Sequence, residues 1–358
     1  MKGLIITHKG SVNISEDEIK ELTSNKILYK DKGLITFETT KEDLEKLAYK
    51  GQSFLRVLEL LDDFVSDKII DDLIEKSSNI KIDKNFKVKC TRLGEHDFLS
   101  IDVEKKVGEV ILKNNDVEVD LNNPQKIIHI IIYGTKCFIC DDLCIYDLSK
   151  RDYKIFIHPA AIRGTLAYIM LKIAGYDKQK IIVDPFCGSG TISIEAALYS
   201  NDISPHYFSK NRFLFEPKKD DLKIINKNIF GYDFLLKNVL AARKNAKIAG
   251  VDKAINFSKI ELSWLDSKFD ENEVDLIVSD PPRLSKQFIE KDFIKLMDEL
   301  FYQAKFLLNN HGSVTLLLNL KSVTLVKEYA EKHGFIIDST TEIDLGNEDL
   351  NIVKFIKK

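Results

Sequence analysis

Asp184-Pro185-Phe186-Cys187-Gly188-Ser189-Gly190-Thr191-Ile192-Ser193-Ile194-Glu195-Ala196-Ala197 follows an apolar run, Lys180-Ile181-Ile182-Val183. That order reads as strand, glycine turn, helix. Gly188 and Gly190 let the chain turn tightly and bring its backbone close to a ligand. One such turn is a weak signal. Here a second turn, Asp280-Pro281-Pro282, closes a later apolar run, Leu276-Ile277-Val278. The pair predicts an α/β, Rossmann-like doubly wound sheet with its ligand at the carboxyl ends of the strands.

More of that sheet is legible on either side. Gly231-Tyr232-Asp233 reads as a second strand end, followed by a helix over 236–249 that stops at Gly250. A third strand is predicted over 259–265, ending at Asp266, and a fifth over 313–319. Residues 335–343 and 351–356 flank Gly346-Asn347 and predict an antiparallel hairpin. A carboxylate at Asp233 suits a diol, since it accepts from two donors. Free N–H groups at the helix start, Thr191, offer further contacts.

A glycine turn after one strand and Asp-Pro-Pro after a later one resembles the layout of S-adenosylmethionine-dependent methyltransferases that modify exocyclic amino groups. The resemblance implies S-adenosylmethionine (SAM) as cofactor. It gives Asp184, Phe186, Gly188, Gly190 and Thr191 contacts to it, Asp233 the ribose and Asp266 the adenine. Asp280, Pro281, Pro282 and Arg283 would form the reaction site. The exocyclic amine of guanine is a poor nucleophile, because its lone pair is delocalised. A carboxylate and a carbonyl accepting from that amine would aim the lone pair, leaving a reaction that depends mainly on positioning. Paired prolines fix such a loop and remove competing N–H donors.

The first 150 residues are organised differently. Strand-like runs at 3–7 and 33–38 alternate with helical ones at 17–24 and 41–49, as in a small α+β unit. Residues 64–82 read as mostly helical. A strand over 86–92 alternates Lys87 and Lys89 with Val88 and Cys90, and a helix over 100–112 starts with Ser100 as its cap. Strands are predicted at 117–121, 126–133 and 137–140. Three segments run in order: Phe86-Lys87-Val88-Lys89-Cys90-Thr91-Arg92, then Gly94-Glu95-His96-Asp97-Phe98, then Val119-Asp120-Leu121-Asn122-Asn123-Pro124. Together they resemble a THUMP domain with its N-terminal ferredoxin-like partner. That pair implies binding to the 3′ end and acceptor stem of a tRNA, with Lys87, Lys89, Arg92 and His96 as RNA contacts. The expected division is 1–62 ferredoxin-like, 63–149 THUMP and 150–358 methyltransferase.

Phe156-Ile157-His158-Pro159-Ala160-Ala161-Ile162-Arg163-Gly164-Thr165 precedes a helix predicted over 160–173. It is similar to the segment ahead of the first catalytic strand in THUMP-containing guanine-N2 methyltransferases, which implies that His158 and Thr165 lie beside the cofactor. The resemblance is nearest to the tRNA guanosine-6 type, with position 10 next. The family places an aromatic residue after Asp-Pro-Pro; this chain has Arg283. A guanidinium can also stack on a base plane. The alternative reading is a catalytically silent THUMP RNA-binding protein that keeps the cofactor fold. Uracil-C5 chemistry is excluded by the absence of any cysteine after the fifth strand.

Composition agrees with a large soluble enzyme. The chain has 358 residues, 44% of them hydrophobic, and a net charge of −3. Formal charges sum to about −5 over 1–150 and about +2 over the rest. Any basic surface for RNA must therefore be local. Two candidates are 81–92 and the aromatic-basic stretch 206–227, which reads as an insertion before the second strand. Five cysteines without a framework fit a reducing compartment. No apolar run reaches membrane-spanning length. A cytoplasmic monomer is expected, without membrane or metal. Cys137, Cys140 and Cys144 match no zinc module and read as packed strand residues.

Overall fold

The computed structural model describes residues 1–157, 161–209, 212–218, 220–284, 288–344 and 349–358. His158, Pro159, Lys210, Lys219 and the Gly346-Asn347 turn lie outside the described residues. Two mixed seven-stranded sheets organise the chain. The first holds β1 (Lys2–Thr7), β2 (Ile27–Asp31), β3 (Leu34–Glu38), β4 (Phe54–Val65), β5 (Phe86–Leu93), β6 (Lys126–Tyr133) and β7 (Lys136–Asp142), in the order β2-β3-β1-β4-β7-β6-β5. Helices α1 (Val12–Thr23) and α2 (Lys41–Lys50) pack with the β1, β3 and β4 residues of one core. Helices α3 (Ile69–Ser77) and α4 (Ser100–Asn114) pack on β5–β7.

β2 and the longer β4 escaped sequence reading, and β4 is the one that organises the sheet. Its apolar residues run nearly unbroken into acidic Asp62 and Asp63, so neither period 2 nor period 3.6 stands out. It pairs with β1 on one side and β7 on the other. Position 62 therefore lies inside a strand common to both halves of this sheet. The segment expected as helix over 64–82 contains the end of β4 and the shorter α3. Residues 117–121 form no strand; Val119 makes a single bridge to Phe86. The cap of α4 is Leu99, whose N–H donates to Asp102 Oδ2 at 2.9 Å. An anionic acceptor in the first turn outdoes a hydroxyl there, and Ser100 Oγ instead accepts from Arg92 Nε at 3.2 Å.

The second sheet has β8 (Ile182–Asp184), β9 (Ile229–Asp233), β10 (Ile255–Lys259), β11 (Val274–Ser279), β12 (Leu308–Asn319), β13 (Phe335–Asp344) and β14 (Asp349–Lys357), in the order β10-β9-β8-β11-β12-β14-β13. β8 to β12 are parallel, and β13 and β14 form the expected antiparallel pair. The order reverses between β8 and β11, which is where a doubly wound sheet opens a crevice. Two apolar cores cover its faces. They hold α5 (Gly164–Ala174), α6 (Thr191–Ser200) and α7 (Leu236–Ile248) on one side, and α8 (Glu290–Leu307) and α9 (Leu320–Lys332) on the other. α5 starts four residues later than its apolar spacing suggested.

The segment 201–228 is the seam between the two sheets. Its described residues form neither helix nor strand up to 228. Phe213 bridges Cys144, Leu214 N–H donates to Leu143 O, and Phe213 joins the core of the first sheet. Arg212 and His206 are buried too. Phe213 and His206 are therefore packing residues, while Phe208 stays exposed, so only part of the aromatic-basic stretch is left for an RNA surface. A second tie is a buried polar hub. Arg151 and Glu195, both fully buried side chains, pair at 2.8 Å. Gln52 Nε2 donates to Glu195 Oε2 at 2.7 Å, Tyr153 OH to Oε1 at 2.8 Å, and Arg151 to Gln52 O at 2.8 Å. Glu195 lies one turn into α6, so the hub fastens the first sheet to the helix that follows the glycine turn.

Candidate active site

At the switch point lies a cleft of about 430 Å³. Its wall takes Asp184 from the end of β8, Phe186, Gly188 and Thr191 from the glycine turn, and Asp233 from the end of β9. Asp280, Pro281, Pro282 and Arg283 follow β11 along the same wall. Strand ends far apart in sequence thus meet in one place. Gly188 has φ +51° and Gly190 φ +86°. A side chain at Gly190 would meet Ala242 Cβ at 2.9 Å, so its glycine serves helix packing rather than the cleft wall.

Three carboxylates border the cleft. Asp184 is buried, accepts from Ser279 Oγ at 2.5 Å and from Phe186 N–H at 3.3 Å, and its carboxyl is pushed up to about 7. Burial is the main cause, and the charges of Asp233 and Asp280 add to it. Asp233 is more committed than expected. Its Oδ2 accepts from Gly188 N–H at 3.1 Å, and Oδ1 from Leu235 N–H at 2.9 Å and Asn238 Nδ2 at 3.0 Å. Little acceptor capacity remains, mostly on Oδ2. Asp280 has Arg283 Nη2 at 3.5 Å from its Oδ1. Asp233 and Asp280, with Asp184 once ionised, outweigh the Arg283 guanidinium on this wall, which suits a cationic ligand.

Two residues assigned to this site from the sequence lie elsewhere. Thr165 is fully buried, and its Oγ1 bonds His8 Nε2 at 2.8 Å. It belongs to the contact between the sheets, where burial holds the His8 imidazole down at about 4 and so neutral. Asp266 is exposed in a 3-10 turn (Leu262–Lys268), because β10 ends at Lys259. The acid that follows the strand is Glu261, next to Ile260, whose N–H donates to Asp233 O at 3.1 Å. The strand pattern Ile255, Phe257, Lys259 was misread because Ile260 and Leu262 extend the apolar run.

Three more residues escaped sequence reading. Asn238 steadies Asp233 from the first turns of α7. Phe288 lines the cleft and offers a ring where the residue after Asp-Pro-Pro does not. Asn245 is fully buried, accepts from Phe156 N–H at 3.0 Å and donates to Phe156 O and Ser189 O, each at 3.0 Å. It ties the linker ahead of His158 to the glycine turn. A buried asparagine on a helix with Asn-Ala spacing was the available signal.

On the first sheet, Lys87 and Lys89 share the face of β5 away from α4, as the alternation predicted. Arg92 has the opposite parity and leans on Phe98 at 5.5 Å and Ser100. His96 Nε2 bonds Gly134 O at 2.8 Å. The four do not converge on one surface. Lys89 is half-buried beside Arg56 and Asp142, and burial lowers its ammonium. Cys137, Cys140 and Cys144 belong to three different apolar cores and cannot share a metal ion.

Comparison with known proteins agrees with this geometry. A family model described as RMKL-like, methyltransferase domain matches residues 151–334, and a THUMP domain model matches 63–142. The chain is 29% identical to a tRNA (guanine(6)-N2)-methyltransferase of Methanocaldococcus jannaschii, over 94% of this chain and 95% of that one. A possible methylase from Clostridium difficile 630 superposes with TM-score 0.82 at 22% identity, covering 100% and 98% of the two chains. The methyltransferase SMU.472, solved with SAH, gives TM-score 0.81 at 19% identity, covering 100% and 98%. With the matching model spanning more than half its length, the chain belongs to the RMKL-like methyltransferase family, and it carries a THUMP domain ahead of the catalytic sheet.

Proposed function

We propose that this chain methylates the exocyclic N2 amine of a guanosine in tRNA, using SAM, with position 6 of the acceptor stem as target. The observation that carries the reading is Asp280-Pro281-Pro282 sharing one cleft with the Gly188 turn and Asp233, in a chain that also has a THUMP domain. The named activity of the Methanocaldococcus relative supports tRNA and position 6. Residues 1–62, 63–149 and 150–358 act as ferredoxin-like, THUMP and catalytic units, the first two sharing β4. We take the working form to be a monomer; sedimentation giving a dimer mass would overturn this. Among the described residues no helix is long and apolar enough to cross a membrane, and the enzyme works where tRNA is processed, in the cytoplasm.

The cleft fits SAM in volume, in its close-approach backbone and in its negative wall. When bound, SAM supplies an electrophilic methyl group on a cationic sulfur. Asp233 would hold the ribose end through the capacity left on its Oδ2, and Phe234 and Leu235 beside it would flank the adenine end. Asp280 would accept a hydrogen bond from one N2–H and a backbone carbonyl near Pro281 one from the other, which turns the nitrogen lone pair toward the methyl donor. The proton leaves once the nitrogen has become cationic, and no strong base is required. Phe288 stacks on the base, beside Arg283.

The test is methyl transfer from labelled SAM to tRNA, with the products cut by a base-specific ribonuclease, the labelled fragment located by mass and its modified nucleoside then identified. N2-methylguanosine at position 6 is expected. Label in any other nucleoside, or none in any tRNA, overturns the reading.

Two further results are expected for the cofactor. Asp233→Ala should weaken SAM binding by about tenfold or more, the cost of roughly 1.5–3 kcal/mol for a charged hydrogen bond plus a loosened Gly188 turn. Calorimetry giving wild-type affinity would remove Asp233 from the site. SAM affinity should also depend on Asp184. Its raised pKa means that the free protein holds the proton up to about pH 7. A cationic ligand favours the ionised form, so binding expels that proton and affinity rises with pH, flattening above about pH 7. Asp184→Asn should abolish the slope; an unchanged slope would assign it to another group.

A further inference from the structure

We propose that the exposed face of α7, with the basic cleft at its far end, is the track along which the substrate's phosphate backbone lies. The proposal rests on the RNA reading above.

α7 begins at the rim of the SAM cleft, where Phe234, Leu235 and Asn238 line the wall. Its sequence, Leu236-Lys237-Asn238-Val239-Leu240-Ala241-Ala242-Arg243-Lys244-Asn245-Ala246-Lys247-Ile248, holds four cations and no acid. Asn238, Val239, Ala242, Asn245 and Ala246 are buried against the sheet. Lys237, Leu240, Arg243, Lys244 and Lys247 are exposed and follow one stripe down the other side. The helix is about 20 Å long at 1.5 Å per residue, enough for several nucleotides of backbone. Beyond its last turn, Arg243 and Lys247 meet Lys227 and Lys253 around a cleft of about 650 Å³, where Asp252 is the acidic lining residue.

Helix electrostatics do not account for this pattern. Cations near a helix C-terminus complement the macrodipole, which explains Lys247. Lys237 sits in the first turn, where a positive charge is unfavourable, and no acid on the helix offsets it. The concentration is also out of keeping with a chain of net charge −3. Apolar groups interleave with the cations. Phe234 and Leu240 are exposed, and Lys244 Nζ lies 4.6 Å from the centre of the half-exposed Phe156 ring. Phosphate-binding cations beside rings that can carry a base or ribose are the make-up of a nucleic-acid surface. The first sheet is acidic overall and scatters its expected contacts, so a track on the catalytic half supplies what it lacks.

The test is the salt dependence of tRNA binding by the full chain carrying K237Q/R243Q/K244Q/K247Q. A control variant, K291Q/K295Q/K305Q/K321Q, removes four exposed lysines from α8 and α9. The α7 variant should bind tRNA at least about tenfold more weakly at low salt. Its log–log slope should be shallower by about 2 or more, as each lost phosphate contact removes up to about 0.9. SAM affinity and the thermal midpoint should match wild type, and the control should keep the wild-type slope. A wild-type slope in the α7 variant, or an equal change in the control, overturns the track while leaving the methyltransferase reading intact. If the wild-type chain neither binds nor methylates any tRNA, both fall together.

Discussion

Asp280→Ala is expected to lower single-turnover methyl transfer to tRNA by about two orders of magnitude or more, the usual loss for a preorganised contact that stabilises charge developing in the transition state. SAM and tRNA affinities should stay within about threefold of wild type, because the contact with the amine gains its value in the transition state. The structure adds a complication. Arg283 leans on Asp280 at 3.5 Å, so removing the carboxylate also takes away one charge partner of that guanidinium. Asp280→Asn controls for this: it keeps the shape of the side chain, yet offers the amine a weaker, neutral acceptor, and should lose most of the rate as well. Turnover within about fivefold of wild type in both variants would take Asp280 out of the reaction.

Glu195→Ala is expected to destabilise the protein by about 3–5 kcal/mol, the penalty for leaving one member of a buried ion pair without its partner. Arg151 would remain in a site with no solvent access, and Gln52 and Tyr153 would lose an acceptor. The effect should appear in urea unfolding followed by circular dichroism. A second readout is specific to the hub. Because Glu195 joins the first sheet to the helix after the glycine turn, proteolysis should begin to cut near residues 150–157 in the variant. A loss below about 1 kcal/mol together with an unchanged cleavage pattern would mean that the hub does not couple the two sheets.

The readable parts of this protein were those with a local cause. Asp184 to Thr191 carries its turn, its helix start and its glycine conformations in consecutive residues. Asp280-Pro281-Pro282 is equally local. Asp266 went astray because the end of β10 is set by pairing with β9, not by where the apolar run stops. Thr165 was placed at the cofactor by likeness of its segment. Its hydroxyl went to His8, 157 residues away, a partner that no local pattern reveals. β4 was missed for a related reason, since its first half is buried on both faces and such a strand need not alternate.

The sequence by itself determined the class of fold, the chemistry of the cleft and the presence of an RNA-binding unit, since each rests on short motifs whose backbone demands are met by neighbouring residues. Tertiary structure decided which of those residues share a wall, that Asp233 is held by three donors, that Phe213 and Arg212 are buried in a seam between the sheets, and that the cations of α7 form one stripe running into a second basic cleft. Those outcomes depend on which distant groups satisfy buried donors and charges, and that is settled only when the chain closes on itself.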